Sequence, residues 1–127
     1  MGTGTAIGRV RGLGSAHAGV EHWWRQKLTA GSNFFLMAWL LISIAMRPSF
    51  GYPAIREWLA SPWTAVPMTL LIVSVFYHFR IGLQTVIEDY QHDESRVVAM
   101  ILLNFFTVAT AATAIFSILK IAFGASA

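Results

Sequence analysis

Charges punctuate this chain into three long uncharged stretches: 19 residues from Leu28 to Met46, 22 from Trp58 to Phe79, and 23 from Val97 to Leu119. With a rise of about 1.5 Å per helical residue, each reaches about 30 Å, the depth of a bilayer's hydrocarbon core. Nothing in them alternates apolar and polar residues with a period of two, as the many short strands of a membrane β-barrel must. The pattern predicts an all-α integral membrane protein with three transmembrane helices over about 28–47, 63–90 and 97–120. It divides the chain into an N-terminal segment, 1–27, and a single three-helix domain, 28–123.

The breaks between spans have physical causes. Arg47-Pro48 joins a charge to a residue that cannot continue a helix, so the first span ends there. The connection through Gly51, Tyr52, Pro53, Arg56, Trp58 and Pro62 has room for a short amphipathic turn. Pro67 falls in the first turns of the second span, where its missing donor costs least. Beyond Arg80, the residues Ile81, Leu83, Val86 and Ile87 keep the helical period towards Tyr90, so the second helix projects past the bilayer. A polar turn from Gln91 to Ser95 leads into the third, expected from about Arg96 to Lys120. Ahead of the spans, residues 1–16 are small and lack an apolar period; they are expected to be loose or to lie along a partner. Val20 to Lys27, with Trp23 and Trp24 at headgroup level, reads as an interfacial approach.

Composition agrees with the pattern: 56% of residues are hydrophobic and 12% charged, about half the charged share of a soluble domain. The first span starts well inside the chain and is followed by two more, which marks it as retained and not as a signal peptide. Four basic residues precede it (Arg9, Arg11, Arg25, Lys27), too widely spaced for a nucleic-acid stripe, and Arg96 lies on the same side. Arg47, Arg56 and Lys120 lie on the other. The positive-inside rule then puts the N-terminus and the loop between the second and third helices in the cytoplasm. The absence of cysteine leaves histidine, carboxylate or backbone to hold any metal or cofactor.

The second span carries the chemistry. An ionisable group at bilayer depth is expensive and usually functional, and His78 is one. At about 100° per residue, Gly82, Thr85 and Asp89 project within about 40° of His78 on one helical stripe. Gly82, one turn along, either lets another helix approach or leaves room for something flat. Arg80 projects to the opposite side, where it can snorkel or meet a partner's anionic group. His78 fits three uses: an axial ligand for haem iron, a proton relay, or a packing histidine bonded to a serine or backbone carbonyl of a neighbouring helix. As the one histidine at this depth, it would need a second haem ligand from a different polypeptide. About 16 Å further along, Asp89 and Tyr90 reach the interface. There a tyrosine hydroxyl can donate to a quinone carbonyl and a carboxylate can relay a proton; the alternative is an aromatic-belt tyrosine beside a loop carboxylate. Glu88, Asp93 and Glu94 read as a solvated or docking face, and His92 as an exposed loop histidine or a member of a proton path. Asn104 and Thr107 suit interhelical hydrogen bonds, Ala111 and Ala114 close packing, and Phe34, Phe35, Phe105 and Phe106 lipid contact or packing. His17 and His22 carry no spacing that marks them as ligands.

The run from His78 through Gly82 to Asp89-Tyr90 resembles the signature of the D-type hydrophobic membrane anchor of succinate dehydrogenase, respiratory complex II. Glu21-His22-Trp23-Trp24-Arg25-Gln26-Lys27-Leu28-Thr29-Ala30 resembles its proteobacterial form. The resemblance covers essentially the whole chain, with its specific part in these two runs. It implies a bundle formed with a companion C-type cytochrome b anchor, in a bacterial inner membrane, carrying an iron-sulphur subunit and a flavoprotein subunit. His78 would be one of two axial ligands of a shared haem b, Tyr90 would hydrogen-bond ubiquinone, and Asp89 would support that site. The family usually has an arginine before Thr29-Ala30 to neutralise a haem propionate; the nearest position here is Lys27, which lacks the planar fork, and Arg25 is the rival. The chain itself would be a non-catalytic anchor of a succinate:ubiquinone oxidoreductase. Other anchors, of fumarate reductase or another quinone-linked dehydrogenase, and a non-redox scaffold or transporter component, are the alternative readings.

Overall fold

A computed structural model describes residues 5–11 and 19–124. It consists of α1 (Ala6–Arg11), α2 (Gly19–Ala45), α3 (Tyr52–Ala60), α4 (Pro62–Tyr90) and α5 (Asp93–Ala122), with no strand among the described residues. Three of these, α2, α4 and α5, are long and apolar enough to cross a membrane. The helix α1 departs from the loose segment expected over 1–16: six residues take helical form there, yet α1 packs against no other described helix. His17 lies outside the described residues.

Each long helix overruns the uncharged stretch that announces it. α2 starts at Gly19 instead of near Leu28, because Glu21 and Arg25 sit one turn apart and pair, which stabilises the helix in its polar first turns. It ends where Arg47 N–H reaches back only to Ile44 O, at 3.1 Å, and Pro48 follows. α4 runs unbroken through Pro67 and Arg80 to Tyr90. At 29 residues it is about 43 Å long, so it outreaches a hydrocarbon core by about 13 Å, as expected from the period beyond Arg80. α5 begins at Asp93, three residues before Arg96, so the polar turn shrinks to Gln91 and His92. The tight entry is visible in Asp93, whose φ of 52° lies in the left-handed region that aspartate's short polar side chain tolerates. Asp93 and Glu94 in the first turn and Lys120 in the last complement the helix dipole.

The connection between the first two spans is more ordered than a turn. Pro53 opens α3, and Ser61 ends it while its carbonyl starts α4, accepting from Thr64 N at 2.9 Å and Ala65 N at 2.8 Å. Arg47 reaches over this element: it donates to Ala54 O at 3.2 Å and lies 5.1 Å from the centre of the Trp58 ring.

α4 is the middle layer. α2 packs on one side and α5 on the other, α2 and α5 do not meet, and α3 leans on the start of α4 and the end of α5. The buried set is small: Ala65, Leu71, Ile81, Leu103 and Ile118, with the polar Thr64, Ser74 and Thr107. α2 contributes no buried residue at all. Phe34, Phe35, Phe105 and Phe106 are all exposed, although Phe106 also meets the Phe79 ring at 6.3 Å. A layer of three helices with its apolar side chains turned outward has two broad faces left for lipid or for another chain's helices.

Candidate functional site

His78 is half-buried at the α2–α4 contact. Its Nδ1 lies 2.9 Å from the Thr29 hydroxyl. That hydroxyl also stands 2.8 Å from Arg25 O and 3.1 Å from Gln26 O, both carbonyls of its own helix. The carbonyl contacts of Thr29 favour one tautomer of a neutral His78. A carbonyl oxygen only accepts, so the single hydroxyl proton points at the carbonyls, and Oγ1 then accepts from a proton on Nδ1. The opposite assignment would set the hydroxyl oxygen against Arg25 O with no proton between them. In that tautomer of a neutral imidazole the lone pair is on Nε2, and no described residue bonds Nε2. One turn before His78, the buried Ser74 donates to the Thr29 carbonyl at 3.4 Å. Two side chains of α4 therefore grip one residue of α2, at its carbonyl and at its hydroxyl.

Around Nε2 the stripe is open. A Cβ built on Gly82 would meet nothing within 4 Å among the described residues beyond its own stretch of helix, so no described neighbour requires a glycine there. Thr85 turns its hydroxyl back to Ile81 O at 3.1 Å. Asp89 is exposed, and Tyr90, 78% exposed, ends the helix with its hydroxyl free of any other described residue. Asp89 shares the His78 stripe; Tyr90 is a neighbour of Asp89 and not of His78. Among the described residues no three of His, Cys, Asp and Glu cluster to hold a metal. An imidazole nitrogen without a partner among the described residues, beside a glycine with space over it, has the chemistry to act as one ligand of a metal whose other ligand comes from elsewhere.

The two basic residues before Thr29 lie differently. Arg25, one turn earlier, is on the Thr29 side of α2 and pairs with Glu21. Lys27 is on the other side, its ammonium 5.8 Å from the Trp23 ring centre, along a shallow groove shared with Trp24, Leu28, Gly31, Ser32 and Phe35. Of the two, Arg25 is the one on the His78 face. His22 is also on the Thr29 stripe, and its Nε2 is buried without a partner.

Arg80 is held within the chain, where sequence reading expected it to snorkel or to meet a partner. Its Nε donates to Asn104 Oδ1 of α5 at 2.6 Å, and a second guanidinium nitrogen lies 3.4 Å from Gln84 Oε1. Gln84 in turn donates to Glu88 Oε1 at 2.8 Å, completing a polar ladder along the α5 side of α4. Asn104 so makes the interhelical bond expected of it, whereas Thr107, expected to do the same, is buried with its hydroxyl unpartnered. Thr29 carries no motif that marks it as a partner of His78, and Ser74 none that marks it as a partner of Thr29.

Residues 1–116 match the family model described as succinate dehydrogenase/fumarate reductase transmembrane subunit. The succinate dehydrogenase hydrophobic membrane anchor subunit of Paracoccus denitrificans is 27% identical over 116 residues, covering 91% of this chain and 90% of that protein. The subunit of the same name from Rickettsia bellii (strain RML369-C) is 27% identical over 114 residues, covering 87% and 91%. No solved structure matches. With the family model extending over α2, α3, α4 and most of α5, this chain belongs to the succinate dehydrogenase/fumarate reductase transmembrane subunits, and it is a multi-pass membrane protein.

Proposed function

We propose that this chain is the D-type membrane anchor of a succinate:ubiquinone oxidoreductase, that His78 Nε2 is one axial ligand of a haem b shared with a C-type companion anchor, and that Tyr90 and Asp89 serve a ubiquinone-reducing site. The observation that carries the reading is the Thr29 contact, which occupies Nδ1 of a bilayer-depth histidine while Nε2 meets no described residue. Metal-bound histidines nearly always donate their other N–H to a fixed acceptor, and Thr29 Oγ1 is such an acceptor. Bound at His78, haem b supplies a one-electron couple within the membrane. Gly82 leaves space for its plane, and Arg25 is the basic residue best located to meet a propionate, once it exchanges its bond to Glu21. The absence of any buried residue on α2 favours a companion chain that completes the bundle.

Tyr90 and Asp89 stand where α4 leaves the bilayer, on the side that the positive-inside rule assigns to the cytoplasm. The exposed phenol can donate to a quinone carbonyl oxygen, and the carboxylate beside it can pass a proton to the reduced oxygen. The iron-sulphur and flavoprotein subunits belong on this same side. Succinate oxidation is their chemistry; this chain holds the membrane end. The test is Tyr90→Phe in the assembled complex. It is expected to lower succinate:quinone reductase activity at least tenfold while succinate oxidation with a water-soluble acceptor stays unchanged, and equal loss of both activities would remove the local quinone role.

A further inference from the structure

We propose that Thr29 is a positioning residue for the iron ligand, and that its hydroxyl sets the donor strength of His78 and hence the potential of the haem; this rests on the ligation reading above. The geometry supplies the reason. An imidazole that donates from Nδ1 gains electron density at Nε2, becomes a stronger donor to iron and favours the ferric state. The acceptor that does this is a hydroxyl on a different helix from the ligand, 2.9 Å away. It cannot rotate freely, because its own proton is committed to the Arg25 and Gln26 carbonyls at 2.8 and 3.1 Å. Nor can the residue slide along α4, because Ser74 bonds its carbonyl from one turn away. A polarised oxygen held from two directions is a fixed acceptor, whereas a water at the same place would leave the ring free to turn about Cβ–Cγ. A hydroxyl is neutral, so the donor strength it confers is intermediate between that of a carboxylate partner and that of no partner.

Thr29→Val keeps the shape of the side chain and removes only this oxygen, and Thr29→Ser keeps the oxygen and removes a methyl. The measurement is an optical redox titration of haem b, with low-temperature EPR of the ferric form, on the whole complex in detergent. Thr29→Val is expected to raise the midpoint potential and to shift or broaden the low-spin EPR signal, and Thr29→Ser to restore both to the wild-type values. Loss of haem from Thr29→Val with retention in Thr29→Ser also supports the proposal, since the variant that keeps the hydroxyl keeps the site. A Thr29→Val complex with full haem content, unchanged potential and unchanged EPR overturns it. Ser74→Ala, which leaves the hydroxyl in place, separates the acceptor from general packing: a shift as large as that of Thr29→Val would also overturn the proposal. The ligation reading fails differently, by a low-spin haem signal that is unchanged in His78→Ala.

Discussion

Replacing Asn104 with leucine withdraws the acceptor that reaches Arg80 from α5 while keeping a side chain of similar volume. The guanidinium is then left half-buried at the α4–α5 seam with Gln84 Oε1 at 3.4 Å as its remaining contact. That contact is too long to compensate. Interhelical hydrogen bonds in membranes average about 0.6 kcal/mol and reach about 1.7. A cationic donor at 2.6 Å belongs near the upper end, because charge-assisted bonds are about twice as strong as neutral ones. Asn104→Leu is therefore expected to cost about 1–1.5 kcal/mol, roughly a tenfold change in the folded-to-unfolded ratio. The assay is unfolding of the micelle-solubilised protein by SDS titration, followed by far-UV circular dichroism, with Arg80→Leu and the double variant completing a cycle. The double variant is expected to be more stable than the two single losses added together, since it removes the orphaned charge along with its partner. A coupling energy indistinguishable from zero would refute the reasoning and return Arg80 to the role of a snorkelling surface cation.

Three further variants test other parts of the molecule. Gly82→Leu adds bulk where a Cβ has at least 4 Å of clearance from described residues beyond its own stretch of helix, and it gains up to about 1 kcal/mol of helix propensity over glycine, so the helix should persist while haem content of the assembled complex falls several-fold. Full haem content with an unaltered visible spectrum would mean that the open stripe accommodates nothing flat. Arg47→Ala removes both the bond to Ala54 O and the stacking on Trp58, worth about 1 kcal/mol together, and should raise amide hydrogen exchange across α3 with little change in α4. Glu21→Gln should weaken its pairing with Arg25 and raise haem retention if Arg25 turns to a propionate; retention unchanged in Glu21→Gln and in Arg25→Gln alike would clear both residues of that role.

The three spans were legible because lipid leaves a chain few options, but counting between charges gave only their minimum lengths. A helix that leaves the bilayer can carry charges in its outer turns, as α4 does with Glu88 and Asp89, and the Glu21–Arg25 pair carries α2 back to Gly19. The Arg80–Asn104 bond was also within reach of the sequence. Each residue lies twelve positions from His92, at the turn, so two antiparallel helices meeting there bring them level. Phe79 and Phe106, thirteen and fourteen positions from the same point, meet for the same reason. Thr29 could not be found this way. The register of α2 against α4 depends on how α3 folds between them, and residue counting across a connection that contains its own helix fixes no level. His78, Gly82 and Asp89 were recognisable as a stripe because that pattern belongs to one helix; the contact between His78 and Thr29 joins two.

The central claim is that His78 Nε2 ligates haem iron opposite a ligand from another subunit, and low-temperature EPR of the purified complex tests it most directly. The wild-type complex should show a low-spin ferric signal of bis-imidazole type. In His78→Ala that signal should vanish or give way to a high-spin form, and added imidazole should restore a low-spin signal by filling the vacated position. An unchanged low-spin signal in His78→Ala would contradict the account.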